Sequence, residues 1–519
     1  MPAPDTAGYV TDVSYIPGFY PQLAPVSMRH VAALNRLVPP RVDRGFRYLE
    51  LGCGLGRSLT ALAAANPAGD FTGVDINPDH TAAAQREIAG GGLGNARVVT
   101  ADFAHLPDDA RDFDFITLHG VWSWVAPEVR ADIVRIARER LAPGGLLLVS
   151  YNAMPGWAHL LPIRGILRQY AALRQGDSAR RVREAVEYLA FVRDHGAKYF
   201  QDNPAAAKYV DTIRSQDPRY LAHEYLNEHW TSFYFAEVAG QFSAAGLSYA
   251  GSLPVQTNFW DLCVAPGFQE LFRTTSDRLV TEAHKDFCAN TMFRWDLFAK
   301  QPRPLPDAAA RIREADDLWY RTTRTDITLP WSVNLGVVTS TVQGPQYAAL
   351  LEMLAGRGMR LSEIVADPRI APARADDIAR AVDAGVAMRL FDVGMGPLAD
   401  ASAAGDHRLL MKSDYNRHLL ATDLLGGRGV PLASTVTGSA ITLGDFDAAI
   451  LSEAVAGGGD DLARRVEGLL ASRERVLHHE GKAVTDPAER MQRIEAGCTA
   501  FQTRVLPVLL ALGVVTLAD

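Results

Sequence analysis

The sequence predicts a doubly wound α/β unit with a helical insertion, followed by two mainly α units, one of them winged-helix-like. Three observations lead there. Short apolar runs alternate with helix-like segments through residues 46–150, the rhythm of a parallel sheet covered by helices. Around 176–235 charged helical patterns such as SARRVREAVEYLAFVRDHG interrupt that rhythm. Beyond Pro302, Pro304 and Pro306, which read as a linker, the patterning is mostly helical.

The elements follow in order. Strands are expected at 46–51, 71–75, 97–100, 113–118 and 146–150. A helix over 57–65 stops before Asn66-Pro67, and Val129, Ile133, Ile136 and Ala137 form one apolar helical face that ends near Pro143-Gly144. GLSYAGSLP and then FRWDLFAK at 293–300 supply the last sheet strands. Past the prolines, helices at 347–354, 361–364 and 377–386 precede MRLFDV as a strand, the order of a small winged-helix-like unit. A Gly/Ala-rich stretch at 395–405 leads into the final helical region. The expected limits are therefore 1–301, 302–398 and 399–519.

Composition narrows the function. With 519 residues and 48% apolar content, the chain has material for about three or four compact units. A net charge of −8 does not supply the broad basic surface that nucleic acid binding needs. Cys53, Cys263, Cys288 and Cys498 lie far apart with no CxxC pair, which fits a reducing compartment and no thiolate metal site. The opening MPAPDTAGYV lacks the pattern of a secretion signal. The longest apolar run, 505–518, is 14 residues broken by Pro507, whereas a spanning helix needs about 20; it reads as a buried terminal helix of a soluble cytoplasmic protein.

The chemistry concentrates in YLELGCGLGRS, residues 48–58, where a strand runs into Gly52, Gly54 and Gly56 and then a helix. Glycines at this turn permit unusual φ values and close approach of a ligand to the backbone. A dinucleotide fingerprint would place its third glycine at Arg57, so the spacing points away from a pyrophosphate and toward S-adenosylmethionine (SAM). Asp75 ends the second strand 19 residues after Gly56, near the spacing at which an acidic side chain meets ribose hydroxyls. Ile76 follows it on the same rim. Asp102 is placed to accept from an adenine amino group, or simply to cap a helix, with Phe103 covering the ring face. Glu50 either orients the loop or meets the amino-acid end of SAM.

These residues carry a resemblance. ELGCGLG, GVDIN, TADF and LAPGGLLLVSYN make residues 46–150 similar to the class I SAM-dependent methyltransferases. HGVWSWV, YNAMPGW and YLAHEYLNEHW resemble, more narrowly, bacterial methyltransferases with a methyltransferase regulatory domain, among them rickettsial-type protein-lysine methyltransferases that modify outer-membrane proteins. The similarity spans about 9–300, with 218–300 as the regulatory-like segment. The resemblance implies a Rossmann-like sheet, SAM as methyl donor and a protein bearing accessible lysines as acceptor. A small metabolite or natural product methylated at N or O is the alternative acceptor, and a non-catalytic SAM-binding regulator is the third reading. No membrane insertion is expected, and a homodimer is admitted.

Trp122 and Trp124 follow the fourth strand, and Tyr151, Asn152 and Trp157 the fifth, so all are expected at the SAM rim, where aromatic faces hold an alkylammonium and polar groups orient an amine. Packing at the sheet lip is the competing account. His119 either touches SAM, acts as a base or is a hydrogen-bonded structural residue. The resemblance makes the run Tyr15, Pro17, Phe19, Tyr20 a lid, with Tyr20 among the catalytic candidates. HEYLNEH at 223–229 spaces its histidines six apart rather than four, which argues against zinc. His478-His479-Glu480 reads as a solvated helix end.

Overall fold

The computed structural model describes residues 8–107, 110–324, 326–370, 373–399, 409–457, 461–479 and 482–518. Glu480 and the 400–405 part of the Gly/Ala-rich stretch lie outside these described residues.

A seven-stranded sheet organises the first 300 residues, with strands β1 (Phe46–Leu51), β2 (Gly69–Asp75), β3 (Ala96–Thr100), β4 (Phe113–Leu118), β5 (Leu141–Asn152), β6 (Leu247–Leu253) and β7 (Phe293–Lys300). Their order is β3-β2-β1-β4-β5-β7-β6. β1 to β5 run parallel, and β7 pairs antiparallel with both β5 and β6. The strands read as near-continuous apolar runs because both faces are covered. Tyr48, Phe71 and Leu148 pack on one face with helices α1 (Pro25–Leu34) and α2 (Arg57–Ala65). Leu49, Ile116 and Val149 pack on the other with α4 (Pro127–Arg140) and the helix Phe235–Ala244; α3 (Pro78–Gly90) lies beside α2 and β3. Strand order reverses between β1 and β4, which opens a crevice at their carboxyl ends.

β5 starts at Leu141, earlier than 146, because Gly144 at φ +79 lets the chain kink past a register shift against β4 without ending the strand. The insertion is a helical cluster, Leu161–Ala172, Ser178–Asp194, Pro204–Arg214 and Pro218–Leu226, that buries its own core around Leu167, Val182, Leu189 and Ile213.

Three helices, Pro345–Ala355, Leu361–Ala366 and Ala375–Ala387, pack with an antiparallel sheet of Met359–Arg360, Trp319–Arg321 and Asp392–Gly394. The strand expected from MRLFDV begins only at Asp392, because Arg389 at φ +60 turns the chain. The proline-rich segment is not a free tether. The amide of Val38 donates to Arg303 at 2.9 Å, that of Leu305 donates to Arg36 at 2.7 Å, and Leu305 is buried. The last region packs on α2 through Ala61 and Ala65. Its apolar 505–518 run is not one helix: Leu506–Ala511 stops before Gly513, and Thr516–Leu517 then pairs with Leu409–Leu410. Among the described residues no helix is long and apolar enough to cross a membrane.

Candidate active site

The glycine turn after β1 shapes a cavity of about 450 Å³, within the usual range for small-ligand sites. Gly52, Gly54 and Gly56 all take positive φ. A Cβ on Gly56 would lie 2.6 Å from that of Ala84, so this glycine lets α2 approach α3; one on Gly54 would meet nothing within 4 Å. Gly56 itself opens α2 and does not line the cavity, whereas Gly52 and Gly54 do. Asp75 fastens the turn: its carboxylate accepts from the Gly54 amide at 2.8 Å and the Asn77 amide at 2.9 Å while still facing the cavity.

Glu50 is the outlier. It is buried, lines the cavity, has no cationic partner, and its Oε2 has no hydrogen-bond partner. Burial, with Asp75 nearby, pushes its carboxyl up to about 8. Ile76, Asp102 and Phe103 also line the cavity. Asp102 is meanwhile engaged as a cap, accepting from the His105 amide at 2.9 Å.

Another part of the lining is aromatic. Tyr20 lies over His119 with centroids 3.9 Å apart, and His119 stacks on Trp295 at 4.3 Å. Burial lowers the His119 imidazolium to about 3, and Nδ1 pairs with the Ser150 hydroxyl at 2.8 Å, so the ring is neutral and a poor proton acceptor. Trp124 lines the cavity and meets Tyr15 edge-on.

Four residues expected on this rim lie elsewhere. Trp122 is fully buried against Phe233 and Phe242, because the turn that the Trp124 amide closes on the Val121 carbonyl at 2.8 Å leaves Val121 and Trp124 on the cavity and Trp122 in the core. Tyr151 and Asn152 do not reach the cavity: the Tyr151 hydroxyl donates to Asp296, and the Asn152 amide donates to Glu224 at 3.1 Å. Trp157 packs into the helical insertion against Trp230.

The strap over the cavity runs through Tyr9, Tyr15, Ile16, Pro17, Gly18 and Tyr20; Phe19 turns away into the core. Ser58 of α2 pins it, its hydroxyl donating to Gly18 at 3.3 Å and accepting from the Tyr20 amide at 3.1 Å. Further back, the Val10 amide donates to Asn227 and His223 pairs with the Val13 carbonyl, which occupies a histidine of the HEYLNEH motif. Among the described residues no group of three His, Cys, Asp or Glu side chains is placed to hold a metal.

Sequence reasoning did not single out Tyr9, His80 or Trp295. His80 lines the cavity 3.4 Å from Asp75 with neither ring nitrogen hydrogen-bonded. Its position, five residues after Asp75 and inside α3, was the available signal.

Residues 49–145 match the family model described as "Methyltransferase domain", and residues 217–300 match "Predicted methyltransferase regulatory domain". The chain is a SAM-dependent methyltransferase. It is 27% identical over 513 residues to "Uncharacterized protein sll1526" of Synechocystis sp., covering 98% of this chain and 99% of that one. The fold of the methyltransferase is that of "PKMT2 from Rickettsia typhi in complex with AdoHcy", with a TM-score of 0.72 and 20% identity over 96% of this chain and 99% of that chain. A "tRNA (guanine-N(7)-)-methyltransferase" of Alkalilimnicola ehrlichii is 31% identical over 146 residues, only 24% of this chain. The sheet common to such relatives therefore does not assign the acceptor.

Proposed function

We propose that the methyltransferase acts in the cytoplasm and methylates lysine side chains of protein substrates. The observation that carries this reading is the division of the cavity. An unpaired buried carboxyl group lines it at the glycine turn, and neutral aromatic rings of Tyr15, Tyr20, His119 and Trp124 line another part.

The residues present fit SAM. An orphaned buried carboxylate suits an ammonium group, so Glu50 would hold the amino-acid end. Asp75 would hold the ribose, and Ile76, Asp102 and Phe103 the adenine. When bound, SAM supplies a methyl carbon on a positive sulfonium, already a good leaving group. The chain has to align an amine with it and exclude water. A lysine with a pKa of about 10.4 must lose a proton first, and an apolar wall lowers that value by disfavouring the charged form. Neutral His119 leaves this proton to water. Tyr20 and Trp124 offer ring faces worth about 0.5–2 kcal/mol to a methylated ammonium. Tyr151, Asn152 and Trp122 act behind the wall: Asn152 holds Glu224, Tyr151 holds Asp296, and Trp122 fills the core.

Likeness to the rickettsial PKMT2 over nearly the whole chain supports a protein acceptor. Four unpaired cysteines agree with a reducing compartment. Incubation with methyl-labelled SAM and a panel of bacterial proteins and lysine-rich peptides tests the reading. Label recovered as methyllysine is expected. Label only in small molecules, or SAM binding without turnover, would overturn it.

A further inference from the structure

We propose that the C-terminal region braces the cofactor cavity from outside, with Arg428 as a positioning residue that holds the N-terminal strap over bound SAM. Residues 423–429 touch both walls of the cavity from outside the catalytic sheet. On one side, Asp423 pairs with Arg57, a cavity-lining residue directly after the glycine turn, which also pairs with Glu87 at 2.9 Å. On the other, Arg428 donates through Nη1 to the Pro17 carbonyl of the strap at 3.2 Å. Its Nη2 donates to Asp217 at 3.0 Å. Asp217 caps the helix Pro218–Leu226, which carries His223, itself paired with the strap at Val13. One guanidinium thus ties together the strap and the helix on which the strap lies.

The loop is built to present this side chain. Gly427 and Gly429 flank it at φ +85 and +72. Their amides donate to the two oxygens of Asp445 at 2.7 and 2.9 Å, fixing the bend. Tyr20 follows Pro17 by three residues and faces the cavity, so the held carbonyl sets where its ring lies; the Arg428 charge also favours the Tyr20 phenolate, against the larger opposing effect of burial.

Arg428 and Asp217 are 30% and 29% exposed, and a pair so placed adds little to global stability. Its consequence is local. In the full-length protein, Arg428→Ala is expected to raise the KM for SAM and the Kd for S-adenosylhomocysteine by about tenfold, with kcat changed less than about twofold, because the closed strap becomes a minor state. Hydrogen exchange at residues 10–20 should quicken in the same variant, while Tm stays within about 2 °C of the parent. Arg428→Lys keeps the charge but not the two-pronged geometry, so its Kd should fall between the two. Arg464→Ala, on an 81% exposed side chain of the same region, is the control expected to change none of these. Cofactor affinity within twofold of the parent, or exchange that quickens throughout 409–518 with a lowered Tm, would overturn the proposal.

Discussion

A cluster of buried carboxylates and a lone buried one lie in the same half of the molecule and differ in whether a cation meets them. Beneath the helix Arg278–Ala289, Glu282, Asp286 and Asp296 surround Arg294, which donates to them at 3.0, 2.7 and 2.8 Å, and Lys285 also pairs with Glu282. Burial alone would raise the Glu282 carboxyl, yet Lys285 and Arg294 outweigh it and hold the group down to about 2. At the end of β1, Glu50 meets no cation, and burial pushes it up to about 8. The first group is architecture, ion-paired within the chain through Arg294 and Lys285, although burial still raises Asp286 to about 6. The second is an acid without a partner, the feature that the proposed function assigns to a cationic ligand.

Breaking the ion-paired group should have the largest effect. Arg294→Met leaves three buried carboxylates without their shared cation and is expected to cost about 3–5 kcal/mol in denaturant unfolding; a loss under about 1 kcal/mol would show that the cluster is solvated. Glu50→Gln should do the reverse to the ligand-free protein, leaving its stability equal or higher. The same change should weaken SAM binding by about 1.5–3 kcal/mol, read by calorimetry, as a charged hydrogen bond is lost. Unaltered affinity would remove Glu50 from the cofactor site.

The pH dependence sharpens the contrast. Glu50 has a folded pKa of about 8 against an ordinary 4.5, so the folded state prefers the protonated acid. Its contribution to stability is complete below pH 4.5 and is lost as pH rises through about 8. Binding of an ammonium to the carboxylate should therefore release close to one proton per SAM at pH 7, seen as a buffer-dependent enthalpy that vanishes in Glu50→Gln. Smallest of all is the effect expected of His119. With its imidazolium at about 3, it should add no limb to the pH–rate profile between 5 and 8, and a limb there abolished by His119→Gln would contradict the neutral ring.

Much of the cavity lining near the glycine turn was legible because its determinants are local. The turn 52–56, Asp75 and Phe103 each follow a strand whose apolar run is plain in the sequence, and strand ends in this fold share one rim. The aromatic part of the lining was harder because the turn after β4, which has no fixed period, decides which residues face inward. Trp122 and Trp124 flank one residue, yet one ring fills the core and the other lines the cavity. Asn152 is claimed by Glu224 from a helix 72 residues later, and Tyr151 by Asp296 from an antiparallel strand 145 residues later. No periodicity encodes such partners. The contact between Arg428 and Pro17, 411 residues apart, lies further still beyond pattern reading.

That contact gives the order of synthesis a role. Residues 9–20 and the sheet line one cleft and residues 423–429 brace it from outside, so a ribosome must translate more than 400 codons before those braces can form. On the role proposed for Arg428, the emerging polypeptide until then holds its methyl donor loosely, and prematurely stopped products would compete weakly for it.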